Sequence, residues 1–310
     1  MPRLRTVFFG TPAIAVPALR ALGEIGEVLQ VICQPDRPAG RGLELTAPPV
    51  KKVALELGLP VHQPTKVKTG LDAFLRELSP DLALVIAYGR ILPESVLEAP
   101  RLGCLNLHAS LLPAYRGAAP IQWAVARGET TTGVSLMQMD AGLDTGPVFF
   151  RRSLDIGPDE TAGELAERIG ELAALMVRED VPRVATGELR ASPQDAAAAT
   201  YAPPIEKDDA RIDWGRPAKS IVDLVRGMAP RPGAHTRVRG KLVRVTRARV
   251  GDQNAPGDPG RVRLGIGREI LVATASGSVE ILRAQLEGKK ELASAELVNG
   301  RALVEGDVLG

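Results

Sequence analysis

The chain has 310 residues and a formal net charge of +2, from 39 basic and 37 acidic side chains. Apolar residues make up 45% and charged residues 25%, which excludes intrinsic disorder, and no apolar run approaches the length of a membrane helix. With two cysteines and three histidines, neither a disulfide framework nor a His-rich metal site is expected, and the length predicts two domains.

In chain order, Arg3 and Arg5 lead directly into residues 6–9, Thr-Val-Phe-Phe. These read as a buried strand rather than a leader, so a cytoplasmic protein is expected. Apolar runs at 28–33, 82–87, 104–107 and 134–139 predict further strands, and helix-compatible stretches at 49–57, 71–78 and 121–126 alternate with them. Such alternation is the βαβ signature of a Rossmann-like, mostly parallel α/β sheet, whose ligands bind at the carboxyl ends of strands. A long helix fits 161–184, with Thr161 and Glu164 forming a capping box. On this reading residues 1–188 are a catalytic domain. Residues 189–207, rich in Ala, Pro and Gln, read as a linker. Residues 208–310 change texture: short β-type runs at 236–238, 242–245, 261–264, 269–273 and 279–282 predict a small OB-like β-barrel.

Charge is divided unevenly. Residues 1–207 carry 21 basic and 24 acidic side chains and residues 208–310 carry 18 and 13, giving balances of −3 and +5. Between Arg231 and Arg249 stand seven basic residues and no acidic one, with a hairpin expected at Gly240. Arg237 and Arg239 are expected on one strand face, as are Arg247 and Arg249. A stripe of this kind suits a phosphate backbone.

The segment at 104–113, Cys-Leu-Asn-Leu-His-Ala-Ser-Leu-Leu-Pro, carries the chemistry. Asn106 and His108 interrupt the end of an apolar strand and share a face, where buried polar groups cost about 1–3 kcal/mol unless they are used. Asp140 and Asp144 stand in a glycine-punctuated loop after the strand at 134–139 and can reach a neighbouring histidine. An amide, an imidazole and a carboxylate without a nucleophilic Ser or Cys fit direct acyl transfer between two bound substrates. Ser110 lacks the Gly-x-Ser-x-Gly setting of a serine hydrolase. Cys33 and Cys104 are expected to be buried thiols.

Asn106-Leu-His108 with Ser110-Leu-Leu-Pro113, then Tyr115-Arg-Gly-Ala-Ala-Pro-Ile-Gln122, then 137–146 with Asp144-Thr-Gly146, resembles the folate-dependent formyltransferases. Further matching segments run from 9–12 through 34–42, 87–93 and 209–214 to 287–290 and 299–301. The resemblance implies that Asn106, His108 and Asp144 are catalytic. It places Ser110, Leu111, Leu112 and Pro113 against the folate, with Tyr88, Gly89, Ile91 and Leu92 lining its pteridine pocket. The donor implied is 10-formyltetrahydrofolate, without a metal, and the acceptor is the amine of methionine on initiator methionyl-tRNA. Arg41 in the loop 34–49, together with Arg37 and Lys51, would grip the tRNA end, and Arg237, Arg239 and Lys241 would lie along its arm. A small amine, glycinamide ribonucleotide or an amino sugar, is the alternative acceptor. Where the family usually has lysines after Arg41-Gly42, this chain has Leu43-Glu44-Leu45, and Pro204 stands where lysine is frequent. Nothing points to an obligate protein partner, and a monomer is expected.

Overall fold

The computed structural model describes residues 3–39, 44–252 and 257–310. Chain order begins β1 (Leu4–Gly10), α1 (Val16–Ile25), β2 (Gly26–Ile32), β3 (Arg37–Ala39), β4 (Glu44–Thr46), α2 (Pro49–Glu56), β5 (Val61–His62), α3 (Leu71–Leu78) and β6 (Leu82–Ile86). It continues α4 (Glu94–Leu97), β7 (Cys104–His108), β8 (Arg116–Gly117), α5 (Pro120–Ala126), β9 (Thr131–Gln138), β10 (Val148–Asp155), α6 (Ala162–Glu179), α7 (Val181–Ala185) and β11 (Tyr201–Ala202). Then come α8 (Ala218–Met228), β12 (Ala234–Val238), β13 (Lys241–Val250), β14 (Val262–Leu264), β15 (Ile270–Ala273), β16 (Ser278–Leu286), β17 (Glu291–Ala293) and α9 (Ser294–Asn299). The residues group into two units: Met1–Pro120, Thr132–Leu154 and Ala166–Ala202 in one, Ile121–Thr131, Asp155–Leu165 and Pro203–Gly310 in the other.

The first unit is built on a seven-stranded sheet of order β10-β9-β7-β6-β1-β2-β5. Strands β7, β6, β1, β2 and β5 are parallel, and β9 runs antiparallel to β7. Val7, Phe8 and Phe9 are all fully buried in β1, as a continuous apolar run must be when both faces of a parallel sheet are covered. Helix α1 packs on β1 and β2 through Ala18, Leu19, Ala21 and Leu22, a helical spacing that forms one apolar stripe. Because β1 lies between β2 and β6, the strand order reverses there, and the carboxyl ends of β1 and β6 form a topological switch point.

The capping box at the start of α6 is present. The Thr161 N–H donates to Glu164 Oε2 at 2.8 Å and the Glu164 N–H donates to Thr161 Oγ1 at 3.3 Å. The single helix expected over 161–184 is two helices, because Pro182 cannot donate a helical N–H and Asp180 turns inward. Asp180 is fully buried and accepts from Arg152 Nε at 2.9 Å.

The second unit holds an antiparallel sheet of order β12-β13-β16-β15-β14, with β17 paired to β16. Ile221, Val222, Val225 and Met228 of α8 join its core. Of the OB-like barrel expected here, the β-rich sheet is found, but no closed barrel is present among the described residues. Leu309 bridges Val238 and Val308 bridges Arg261 as isolated pairs. The hairpin between β12 and β13 turns at Arg239 and Gly240, both at positive φ, 48° and 76°, the geometry that two-residue hairpin turns require. Arg239 is therefore a turn residue and does not share a β12 face with Arg237. Along β13, Val243 and Val245 are fully buried, so strict alternation would turn Arg247 and Arg249 inward; two register irregularities between 245 and 248 reset the phase and bury Ala248 instead.

Candidate active site at the carboxyl end of β7

Pairing between β6 and β7 ends with Val85 opposite Asn106, so His108 extends beyond that neighbour. Alternation buries Leu105 and Leu107 on one face and sends Asn106 and His108 to the other. No hydrogen bond to another described residue engages the half-buried Asn106 amide. The His108 ring is 6% exposed, and its Nε2 lies 2.9 Å from the Tyr115 carbonyl oxygen. A carbonyl can only accept, so in the neutral ring Nε2 carries the proton and Nδ1 the lone pair. Nδ1 stands 3.6 Å from Asp144 Oδ2. That is too long for a direct hydrogen bond but close enough for the carboxylate to meet a positive charge developing on the ring.

Asp144 reaches this position by an indirect route. Because β9 is antiparallel to β7, Gln138 at its end pairs with Leu105, and the following loop has to double back past Asn106 to His108. Gly146 permits the return: a Cβ there would stand 1.9 Å from the Gln138 carbonyl oxygen. The two aspartates divide the work. Asp140 caps the loop, its Oδ1 accepting from the Gly142 N–H at 3.1 Å and from Thr145 Oγ1 at 2.8 Å. Asp144, at φ 53°, accepts the Gly117 N–H on Oδ2 at 2.9 Å and faces the histidine.

The segment after β7 is locked in place. Ser110 is buried and its hydroxyl donates to the Ala114 carbonyl at 2.6 Å, which turns it away from any role as a nucleophile. Ser135 Oγ donates to the Ser110 carbonyl at 2.7 Å and accepts the Leu112 N–H at 3.0 Å, and Arg151 Nε donates to the Leu112 carbonyl at 2.6 Å. Leu112 packs with Met137 and Val148, while Leu111 and Pro113 are half-buried. Beyond β6, Tyr88 and Leu92 are buried in one apolar cluster, Tyr88 edge-on to Phe9 at 5.3 Å. Gly89 takes φ 78° and Ile91 is 81% exposed. Of these four residues, only Ile91 offers a large apolar side chain to solvent.

The described residues expected to meet tRNA belong to both units. Arg41 lies outside the described residues. Arg37 donates to Gln34 Oε1. Lys51 is neutralised within its own unit, 2.7 Å from Asp36 Oδ2 and 2.8 Å from Gln63 Oε1. In the other unit Arg237 donates to the Gly240 carbonyl, Arg239 binds the Ala302 carbonyl at 2.7 Å and Asp307 at 3.3 Å, and Lys241 is exposed. Cys33 and Cys104 are free buried thiols; burial pushes Cys33 up to about 11 and Cys104 up to about 12. Among the described residues no group of three potential metal ligands converges, and no helix is long and apolar enough to cross a membrane.

Residues 4–179 match the formyl transferase family model, and residues 204–302 match the model of the formyl transferase C-terminal domain. The chain belongs to the formyl transferase family. This formyl transferase is 57% identical over 310 residues to a methionyl-tRNA formyltransferase of Sorangium cellulosum, an alignment that covers 99% of this chain and 100% of the relative. It is 47% identical to the enzyme of that name from Geobacter metallireducens, with both chains covered completely. Among solved structures, HypX from Aquifex aeolicus in complex with tetrahydrofolic acid shares the fold at a TM-score of 0.66 and 20% identity, covering 98% of this chain and 49% of that longer one. Methionyl-tRNA formyltransferase from Clostridium thermocellum does so at 0.55 and 20%, covering 80% and 94%.

Two backbone groups of the formyl transferase site, the Tyr115 carbonyl and the Gly117 N–H, carry no side-chain signature and were not legible in the sequence beyond their place in 115–122. Gln194 was missed altogether. It stands in the stretch of linker-like composition, which in the structure carries β11 paired to β8 and ties down 113–119 through Thr200 and Ala202.

Proposed function

We propose that this chain transfers the formyl group of 10-formyltetrahydrofolate to the α-amine of methionine on initiator methionyl-tRNA, releasing tetrahydrofolate. The observation that carries the chemistry is an amide that no other described residue engages, Asn106, on the same strand face as a buried histidine opposed by a carboxylate. In this reading the amine attacks the formyl carbon directly. Asn106 donates to the oxyanion that develops on the formyl oxygen. The proton leaving the amine is taken up at the His108 and Asp144 pair, whose Nδ1 and carboxylate face each other, and is passed to N10 of the folate as the bond from the formyl carbon to N10 breaks, while the Nε2–H to Tyr115 fixes the ring. Ser110, Leu111, Leu112 and Pro113, held by Ser135 and Arg151, form a wall for the folate donor, and Ile91 is the exposed apolar residue offered to its pteridine.

The acceptor assignment is supported by relatives named methionyl-tRNA formyltransferase that match this chain from end to end. The basic excess of residues 208–310 favours a polyanionic acceptor over a small amine. We assign the tRNA arm to the second unit, read as an OB-like barrel whose terminal residues bridge Val238 and Arg261, and the tRNA end to Arg41 with Arg37 and Lys51. The enzyme is read as a cytoplasmic monomer. Incubated with 10-formyltetrahydrofolate, the purified protein is expected to formylate charged initiator tRNA and to leave glycinamide ribonucleotide and amino sugars unmodified; transfer to the small amines alone would refute the acceptor.

A further inference from the structure

We infer that Gln194 is a positioning residue for formyl transfer, acting through Asp144 and His108; the inference rests on the catalytic reading of those two residues. Every polar atom of its side chain is used. Nε2 donates to the carbonyl oxygens of Asp144 at 2.8 Å and Gly146 at 2.7 Å, and Oε1 accepts from Arg116 Nε at 3.1 Å and Nη2 at 2.8 Å. One amide therefore joins the returning loop to the segment 115–117. That segment supplies both fixed contacts of the pair: the Tyr115 carbonyl that receives His108 Nε2–H, and the Gly117 N–H that donates to Asp144 Oδ2.

The choice of residue separates positioning from plain stability. Arg116 is 5% exposed, and among the described residues no carboxylate forms an ion pair with it. A buried guanidinium left with a neutral partner is costly, and a carboxylate at 194 would serve it better. A carboxylate, however, would turn acceptor oxygens toward the two loop carbonyls and release the loop. Only an amide can hold Arg116 and the loop at once. The loop gains from being held: Asp144 occupies the left-handed region at φ 53°, which is less favourable than the right-handed one even for an aspartate.

The test uses the full chain with Gln194→Glu, Gln194→Met and Asp144→Asn, assayed for formylation of charged initiator tRNA and for thermal melting. Gln194→Glu is expected to melt at or above the parent temperature while kcat falls by about 10–100-fold, the cost of a misplaced catalytic group, with KM for both substrates changed less than about threefold. Gln194→Met is expected to show the same loss of kcat. Amide exchange should rise at 140–146 and at Gly117 in both variants, and stay unchanged in β1. If Gln194→Glu turns over within about threefold of the parent while Asp144→Asn loses turnover, the positioning role is wrong and the catalytic reading stands. If Asp144→Asn keeps full turnover, the catalytic reading fails first. Loss of turnover matched by collapse of melting in both Gln194 variants also overturns the proposal, because it assigns Gln194 to the fold alone.

Discussion

Asn106 and His108 stand two residues apart on a strand whose other residues are apolar and buried. The polar pair was legible because an unpaired polar group at a sheet's carboxyl end is costly unless it is used. Asn106→Ala is expected to lower kcat by about 10²–10³-fold with little change in melting temperature, measured by single-turnover formylation, since its amide engages nothing inside the described protein. Gly146→Ala should be far more damaging to Asp144 placement than its size suggests, because a Cβ there would stand 1.9 Å from the Gln138 carbonyl oxygen; a kcat within threefold of the parent would contradict the doubled-back loop. The cysteines offer a pH test. Burial raises their thiols to about 11 and about 12, so the thiolate, which is the reactive form, is scarce at pH 8. Alkylation of the folded protein at that pH should be slow at both, and should accelerate on unfolding. What the sequence could not show at this scale are backbone donors and acceptors and Gln194, whose partners are set by loops remote in sequence.

Elements were read best where periodicity was clean. The span 71–78 is helix α3 as predicted, and the capping box of α6 has both of its reciprocal bonds. Thr161→Ala is expected to cost about 1 kcal/mol of stability, seen as a lower melting temperature with unchanged kcat. The reading failed where polar residues point inward. Helix α8 went unread because Asp223 and Arg226, each 6% exposed and paired at 2.6 Å, interrupt its apolar face. Strand β10 went unread because Arg151 and Arg152 break its apolar run, Arg152 reaching Asp180. On β13 register irregularities shift the strand's phase, which leaves Arg247 and Arg249 on the outward side of buried Ala248. Arg247 pairs with Glu164 and Arg249 with Glu280 at 2.8 Å, so these two arginines are already committed within their unit.

For the molecule as a whole, the basic excess of residues 208–310 and the methionyl-tRNA formyltransferases that match the chain from end to end point to the same acceptor. Phosphate contacts release counterions, so the KM for charged tRNA should rise steeply between 50 and 200 mM salt, by about 10-fold or more, while the KM for the folate donor stays nearly constant. Arg41→Ala should raise the tRNA KM alone. Equal losses for both substrates would remove Arg41 from the acceptor site. The most direct measurement is single-turnover transfer from 10-formyltetrahydrofolate to initiator methionyl-tRNA, with both substrates saturating, by the parent chain and by Asn106→Ala, His108→Ala and Asp144→Asn. The parent should formylate the methionine amine, and each substitution should slow the step by at least about 100-fold. Parent protein that transfers no formyl group, or variants that transfer it at the parent rate, would contradict the site described at the end of β7.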